Sequence, residues 1–213
     1  MIDLKLLDSV QGWFDLSVVP LIERITYAQR GITGSIIEIG VHHGRSLIPM
    51  ALGQKPGEVV LAIDCWDQQQ HNRDKSGKGD LKAFINNLQR MGIDPSSVKV
   101  LSGDSMEMTA DSIREITGGQ EARLFSVDGS HTPAATLNDL WIAARTIGET
   151  GIVMIDDVFN PSWPGVQEGF RSFMSECRHI KIFTYAGNRL FLCWDHRVGY
   201  YTEAVFSVPT LGK

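Results

Sequence analysis

Ser35-Ile36-Ile37-Glu38-Ile39-Gly40-Val41-His42-His43-Gly44-Arg45-Ser46 decides how the rest of the chain is read. It reads as a buried strand, a tight glycine loop and the first turn of a helix. That is the opening βα unit of a doubly wound sheet, where ligands sit at the turn. The glycines are spaced Gly-x-x-x-Gly (Gly40, Gly44), not G-x-G-x-x-G. Glu38 stands two residues before the first of them. A loop built for pyrophosphate would avoid a carboxylate there, because it repels phosphate. The same residues also read as a plain strand-to-helix connection with a solvated glutamate.

Working outward, residues 1–33 are expected to form a helical cover. Ser17 is placed to cap a helix whose apolar face is Leu21, Ile22, Ile25 and Ala28. Trp13 and Phe14 read either as a cover that closes over a ligand or, preferred, as packing. Past the glycine loop, a helix through Leu47, Ile48 and Leu52 ends near Gly53. Val59–Asp64 is an apolar run typical of a buried parallel strand. The polar stretch Cys65–Gly79 is too long for a simple connection and reads as a lid or substrate loop. Asp80 caps a helix ended by Gly92. Val98–Ser102 is the third strand and Arg123–Asp128 the fourth. Thr132-Pro133 starts a helix with Ala135, Leu140, Ala143 and Ala144 inward. Gly151–Asp157 is the fifth strand, Val166, Phe170, Phe173 and Cys177 form a helical stripe, and Ile180–Tyr185 with Arg189–Trp194 form a hairpin turning at Gly187-Asn188. The expected fold is α/β: a Rossmann-like, doubly wound, mostly parallel seven-stranded sheet with a C-terminal antiparallel hairpin. Its main domain is 34–196, and 197–213 is an extension.

The chain has 213 residues, enough for one large core, and a net charge of -5 that gives no basic footprint for nucleic acid. Cys65, Cys177 and Cys193 show no metal spacing, and no secretory signal or spanning apolar run is present. A cytoplasmic protein is expected. Phe206-Ser207-Val208-Pro209-Thr210 trails off without a clear end signal, which leaves open the expectation of excision from something longer.

Acids stand at five strand ends: Glu38, Asp64, Asp104, Asp128 and the pair Asp156-Asp157. In an open parallel sheet these ends share one edge, and so much buried charge calls for a positive ligand. An anionic strand end beside a close-approach loop suits S-adenosylmethionine (SAM), which carries a sulfonium and an ammonium. Asp64 lies about 20 residues past the glycine loop, where a carboxylate takes ribose hydroxyls. Asp104 and Ser105 can hold adenine, or equally can cap a helix. Asp128, Asp156 and Asp157 offer oxygen donors without cysteine, a set for Mg²⁺ or another hard divalent cation. His131, at the mouth of that cluster, is matched to general-base work on a polarised hydroxyl. His42 and His43 flank the loop and are weaker candidates.

Glu38-Ile39-Gly40-Val41-His42-His43-Gly44 resembles motif I of class I SAM-dependent methyltransferases. Val127-Asp128-Gly129-Ser130-His131 and Ile155-Asp156-Asp157 resemble the metal-dependent O-methyltransferases of antibiotic sugars, near the macrocin O-methyltransferases. Asp64-Cys65-Trp66 with the Asn72–Asp80 segment resembles small bacterial methyltransferases found near glycan gene sets. The resemblance spans about residues 35–195. It implies that Glu38, Gly40, His42, His43, Gly44, Ser46, Asp64, Trp66, Asp104, Ser105 and Asp128 lie about SAM. It further implies that Asp128, Asp156 and Asp157 hold Mg²⁺, that His131 is the base, and that Asn160, Trp163 and Arg171 meet a sugar, glycan or natural-product hydroxyl. The chain lacks the long extra segments of the antibiotic sugar enzymes, which leaves acceptor and self-association open. A nicotinamide-dependent oxidoreductase and a non-catalytic SAM-binding module are the competing readings.

Overall fold

The computed structural model describes residues 2–207. Val208, Pro209 and Thr210 of the trailing segment lie outside the described residues. Seven strands form one sheet: β1 (Ser35–Ile39), β2 (Val60–Asp64), β3 (Val98–Ser102), β4 (Ala122–Val127), β5 (Ile147–Ile155), β6 (Ile180–Ala186) and β7 (Arg189–Trp194). Their order is β3-β2-β1-β4-β5-β7-β6. β1 to β5 run parallel, and β7 runs antiparallel to both β5 and β6. The order reverses between β1 and β4, so a crevice opens beyond their carboxyl ends. Because β7 runs backwards, its first residue, Arg189, lies at that same edge.

The helices are α1 (Leu4–Asp8), α2 (Val19–Ala28), α3 (Leu47–Ala51), α4 (Leu81–Arg90), α5 (Ala110–Ile116), α6 (Pro133–Thr146), α7 (Pro164–Glu176) and α8 (Val198–Phe206). Two apolar layers sandwich the sheet. One joins α1, α2, α3, α4 and α8 to Ile36, Val60 and Leu124. The other joins α5, α6 and α7 to Ile37, Ile39, Leu61 and Phe125. Successive strand side chains point to opposite faces, so Glu38 shares the side of Ile36 and is fully buried there. At the amino ends of the strands, Glu58 accepts from Arg123 through both oxygens, at 2.8 and 2.9 Å, and both side chains are buried.

Local sequence chemistry sets the element ends. Asp80 accepts from the Ala83 N–H and Thr132 from the Ala135 N–H, as their spacing predicts. The cap expected at Ser17 falls elsewhere: Asp15 accepts from the Ser17 N–H (2.9 Å) and starts a short 3₁₀ turn, Leu16–Val18, that leads into α2. A Ser17 cap would accept from the amide two or three residues on, and the residue three on, Pro20, has no N–H to give. β5 begins at Ile147, earlier than expected, because Ala122 pairs with Ile147 across an irregularity in register.

Gly40 is where the loop and sheet meet. Its φ is +88°, and a Cβ there would stand 1.8 Å from the Asp128 carbonyl oxygen. Both neighbours are fixed: the Gly40 N–H donates to Ile63 O, and the Asp128 N–H donates to Ile39 O, each at 2.9 Å. Gly40→Ala is expected to cost at least about 3 kcal/mol in urea unfolding. A loss under about 0.5 kcal/mol, the usual surface value, would show that the crossing is slack.

Candidate active site

One cavity of about 510 Å³ lies along the carboxyl edge, within the usual size of small-ligand sites. One end of its wall carries Gly40, Asp64 and Asp104; the other carries Asp128, His131 and Asp157. Gly40, His42, Ser46, Ser105 and Asp156 also reach it. Two segments cover it: residues 11–15 from the N-terminal region and the Cys65–Gly79 stretch. Trp13, for which the sequence favours packing over closing on a ligand, is 77% exposed at the mouth, its ring 5.2 Å from His42. Phe14 is buried as expected.

Several expected wall residues lie elsewhere. Glu38, His43, Gly44, Trp66 and Arg171 do not line the cavity. Trp66 is fully buried against Phe84, and its indole N–H donates to His42 O (3.0 Å), so it braces the loop from behind. A Cβ on Gly44 would stand 2.7 Å from Phe84, which makes that glycine a packing requirement. His43 Nδ1 meets His42 Nδ1 at 2.7 Å and shapes the loop. Arg171 is exposed on α7. Asn160 and Trp163 do reach the cavity.

At the first end, Asp64 accepts from the His42 N–H (2.7 Å) and the Trp66 N–H (2.9 Å). Each oxygen keeps a lone pair for a further donor. Asp104 takes the capping role: it accepts from the Met106 N–H, and its other oxygen takes Arg73 at 2.5 Å. Burial raises its pKa, but Arg73 and the Met106 N–H together outweigh that and the net shift is downward.

At the second end, His131 is held between two carboxylates. Its Nδ1 lies 2.8 Å from Asp74 Oδ2 and its Nε2 3.0 Å from Asp157 Oδ2. The His131 backbone N–H also donates to Asp74, and Trp163 stacks on the imidazole at 4.2 Å. Burial disfavours the imidazolium, yet its hydrogen bonds to Asp157 and Asp74, with the charges of Asp74 and Asp128, outweigh that and push the pKa up to about 9. Burial likewise raises Asp74, but its bonds from His131 and Ser76 hold it well below the usual carboxylate range. Asp74 went unassigned in the sequence because a polar loop has no periodicity to read.

The sequence reading also missed Arg189, which is 1% exposed. Its Nη2 lies 2.6 Å from Asp128 Oδ2 and 2.9 Å from Asp156 Oδ2, and its Nε donates to Asp156 at 3.0 Å. Its Nη1 donates to Ser126 Oγ (2.9 Å) and lies 3.8 Å from Glu38 Oε1. Phe14 covers the guanidinium at 5.0 Å. The positive charge demanded by the strand-end acids is thus supplied partly by the chain itself. Of the expected three-acid metal set, Asp156 is the member that pairs with Arg189 through two nitrogens. The residues whose ligand atoms lie within 4.8 Å of one another are Asp128, His131 and Asp157, without Asp156.

Glu38 has no hydrogen-bond partner for either oxygen among the described residues; the Ser46 and Ser126 hydroxyls lie beside it. Burial pushes its pKa up to about 7, against the pull of Arg189. An acid raised this way stabilises the fold below its unfolded pKa near 4.5, and that contribution is lost as pH rises through 7. Glu38→Gln removes the titration, so its stability relative to wild type is expected to improve by up to about 3 kcal/mol between pH 4.5 and 8. Urea unfolding at several pH values checks this; a constant difference would mean Glu38 stays ionised.

A family model described as a methyltransferase domain matches residues 37–158. No curated protein sequence matches the chain. Solved structures do. The apo structure of CalS11, a TDP-rhamnose 3'-O-methyltransferase of calicheamicin biosynthesis, is 17% identical with a TM-score of 0.61, covering 83% of this chain and 79% of that one. An O-methyltransferase from Bacillus cereus in complex with SAH is 15% identical, with a TM-score of 0.60 over 89% and 90% of the two chains. MycE of the mycinamycin pathway, in complex with Mg, SAH and mycinamycin VI, is 17% identical, with a TM-score of 0.57 over 85% of this chain and 50% of that one. The glycine-loop turn, the strand order and this match agree: the chain belongs to the methyltransferase-domain family and has the class I SAM-dependent methyltransferase fold.

Proposed function

We propose that the chain is a SAM-dependent O-methyltransferase, assisted by Mg²⁺ or another divalent cation, acting on a hydroxyl of a sugar, glycan or natural product. The observation that carries this is the continuity of the cavity. A nucleotide-type end at Gly40, Asp64 and Asp104 opens directly onto an acid–imidazole end at Asp128, His131 and Asp157. Methyl donor and proton acceptor would then share one cavity.

At the first end, the Gly40 turn lets a ligand approach the backbone closely, Asp64 offers lone pairs for ribose hydroxyls, and Gly103 and Ser105 line the place for adenine. SAM would supply a methyl group activated on sulfonium sulfur. At the other end, Asp128 and Asp157 present carboxylate oxygens suited to a hard cation. A divalent ion held there would supply positive charge beside the acceptor hydroxyl.

The chain's own residues handle the proton. Trp163 and Asp74 fix the His131 ring, with Nε2 turned to the acid cluster. Asp157 is the strongest force keeping a proton on that nitrogen. Once Asp157 is engaged elsewhere, Nε2 can take the hydroxyl proton while the acceptor oxygen bonds to the methyl carbon and the S–C bond breaks toward sulfur. Orientation and fixed charge would supply most of the rate. Trp13 and Trp163 give apolar faces for a ring-shaped acceptor at the mouth. Among the described residues no helix is long and apolar enough to cross a membrane, and the three cysteines are free; both fit our reading of a cytoplasmic enzyme.

Transfer of labelled methyl from SAM to a panel of vicinal-diol sugars tests the reading. Wild type is expected to turn over, chelation to suppress it, and His131→Ala to lower kcat by about 10²-fold or more with SAM affinity kept. Full turnover by His131→Ala would remove the base; transfer indifferent to chelation would remove the metal.

A further inference from the structure

α6 carries an acid where its packing calls for an apolar residue. Asp139 stands one turn from Ala135 and one turn from Ala143, with Ile142 on the same side, and all three are buried. Asp139 is itself fully buried. Its Oδ1 accepts from the neighbouring Asn138 amide at 3.2 Å. Its Oδ2 has no hydrogen-bond partner among the described residues. A carboxyl group in that state costs stability that a leucine would not. Departures of this kind from the local pattern mark functional positions.

The groups around Asp139 belong to the cavity wall. A Cβ on Gly129 would stand 3.0 Å from Asp139 Oδ2, so the carboxyl lies directly behind that glycine. The Ser105 hydroxyl lies beside the same carboxyl. Gly129 and Ser105 line the cavity, and Asp139 does not reach it. Asn138 donates to the Ser105 carbonyl at 2.9 Å, so adjacent residues of α6 hold Ser105 by its backbone and by its side chain. Asp104, next to Ser105, is engaged by the Met106 N–H and by Arg73.

A hydroxyl has one proton to donate and lone pairs to offer. When the Ser105 proton is turned back to Asp139, its oxygen presents lone pairs alone to the cavity. Lone pairs there accept from an amino group and repel a carbonyl oxygen in the same place.

We propose that Asp139 is a positioning residue for the cofactor: it accepts from the Ser105 hydroxyl, so that Ser105 meets the base as an acceptor and selects a 6-amino purine over a 6-oxo purine. This rests on the SAM reading above and deepens it. In either protonation state Asp139 keeps an oxygen that accepts, and an asparagine there would do the same.

Calorimetric titration with S-adenosylhomocysteine and with its inosine counterpart, which carries hypoxanthine in place of adenine, tests the proposal; melting curves confirm that each variant folds. Wild type is expected to prefer the adenine ligand about tenfold, because a site built for one hydrogen-bonding group rejects the analogue that leaves it unpaired. Asp139→Leu is expected to keep or raise the melting temperature, weaken the adenine ligand about fivefold and leave the inosine ligand within about twofold, so that the preference collapses. Asp139→Asn is expected to retain both affinities within about threefold.

An undiminished preference in Asp139→Leu, or an equal loss of both ligands, would overturn the proposal and leave Asp139 a packing residue. Should Asp139→Leu fail to fold, Ser105→Ala reads the same link: its preference is expected to collapse, and a preference kept near tenfold would overturn the proposal. Equal binding of the two ligands by wild type would overturn the proposal alone. Binding of neither by wild type would overturn the SAM reading and carry this proposal with it.

Discussion

A single guanidinium lies under the carboxyl edge of the sheet and reaches across three of its neighbours. Arg189 starts β7, contacts Asp156 after β5 and Asp128 after β4, and ends near Glu38 in β1. Those strands are consecutive in space. Without that charge, three acids would share a nearly dry space, and burying unpaired carboxylates is among the costliest arrangements a protein can hold. Even with it, burial pushes Asp128 well above the usual carboxylate range, helped by the charge on Asp156, while Arg189 pulls it back.

The rest of the cavity is organised around that edge. The glycine loop leaves the sheet at Gly40 because Asp128 O fills the space a side chain would need. The N-terminal segment comes over the top, with Arg45 donating to the carbonyls of Val10 and Phe14 and placing Phe14 on the guanidinium. From the opposite side the Cys65–Gly79 stretch reaches both ends of the cavity, Arg73 to Asp104 and Asp74 to His131. A loop that touches both Asp104 and the His131 imidazole links the two halves of the cavity in one element.

Much of this was legible in the sequence. The βα turn at Gly40, the caps at Asp80 and Thr132, and the hairpin turn at Gly187-Asn188 each follow from local chemistry, and the structure has them in place. What was not legible depends on direction in space. Glu38 turns inward because strand parity puts it beside Ile36, and a run of isoleucines buried on both faces hides that parity. Arg189 belongs to the site only because β7 inserts between β5 and β6 and runs backwards, which brings a strand's beginning to its neighbours' ends. Asp74 and Trp13 sit in irregular segments whose positions only tertiary contacts decide. Asp156 and Asp157 are adjacent in sequence and looked equivalent, yet Asp157 adopts φ +63° and the two side chains take different partners.

The most direct test is a calorimetric titration of the purified chain with SAM and, separately, with NAD⁺. Saturable binding of SAM at one site, weakened by a bulky substitution such as Ser105→Trp in the cavity wall, and no heat from NAD⁺, is the expected result. Binding of NAD⁺ with none of SAM would contradict the assignment of the cavity and return the Gly40 turn to a nicotinamide nucleotide.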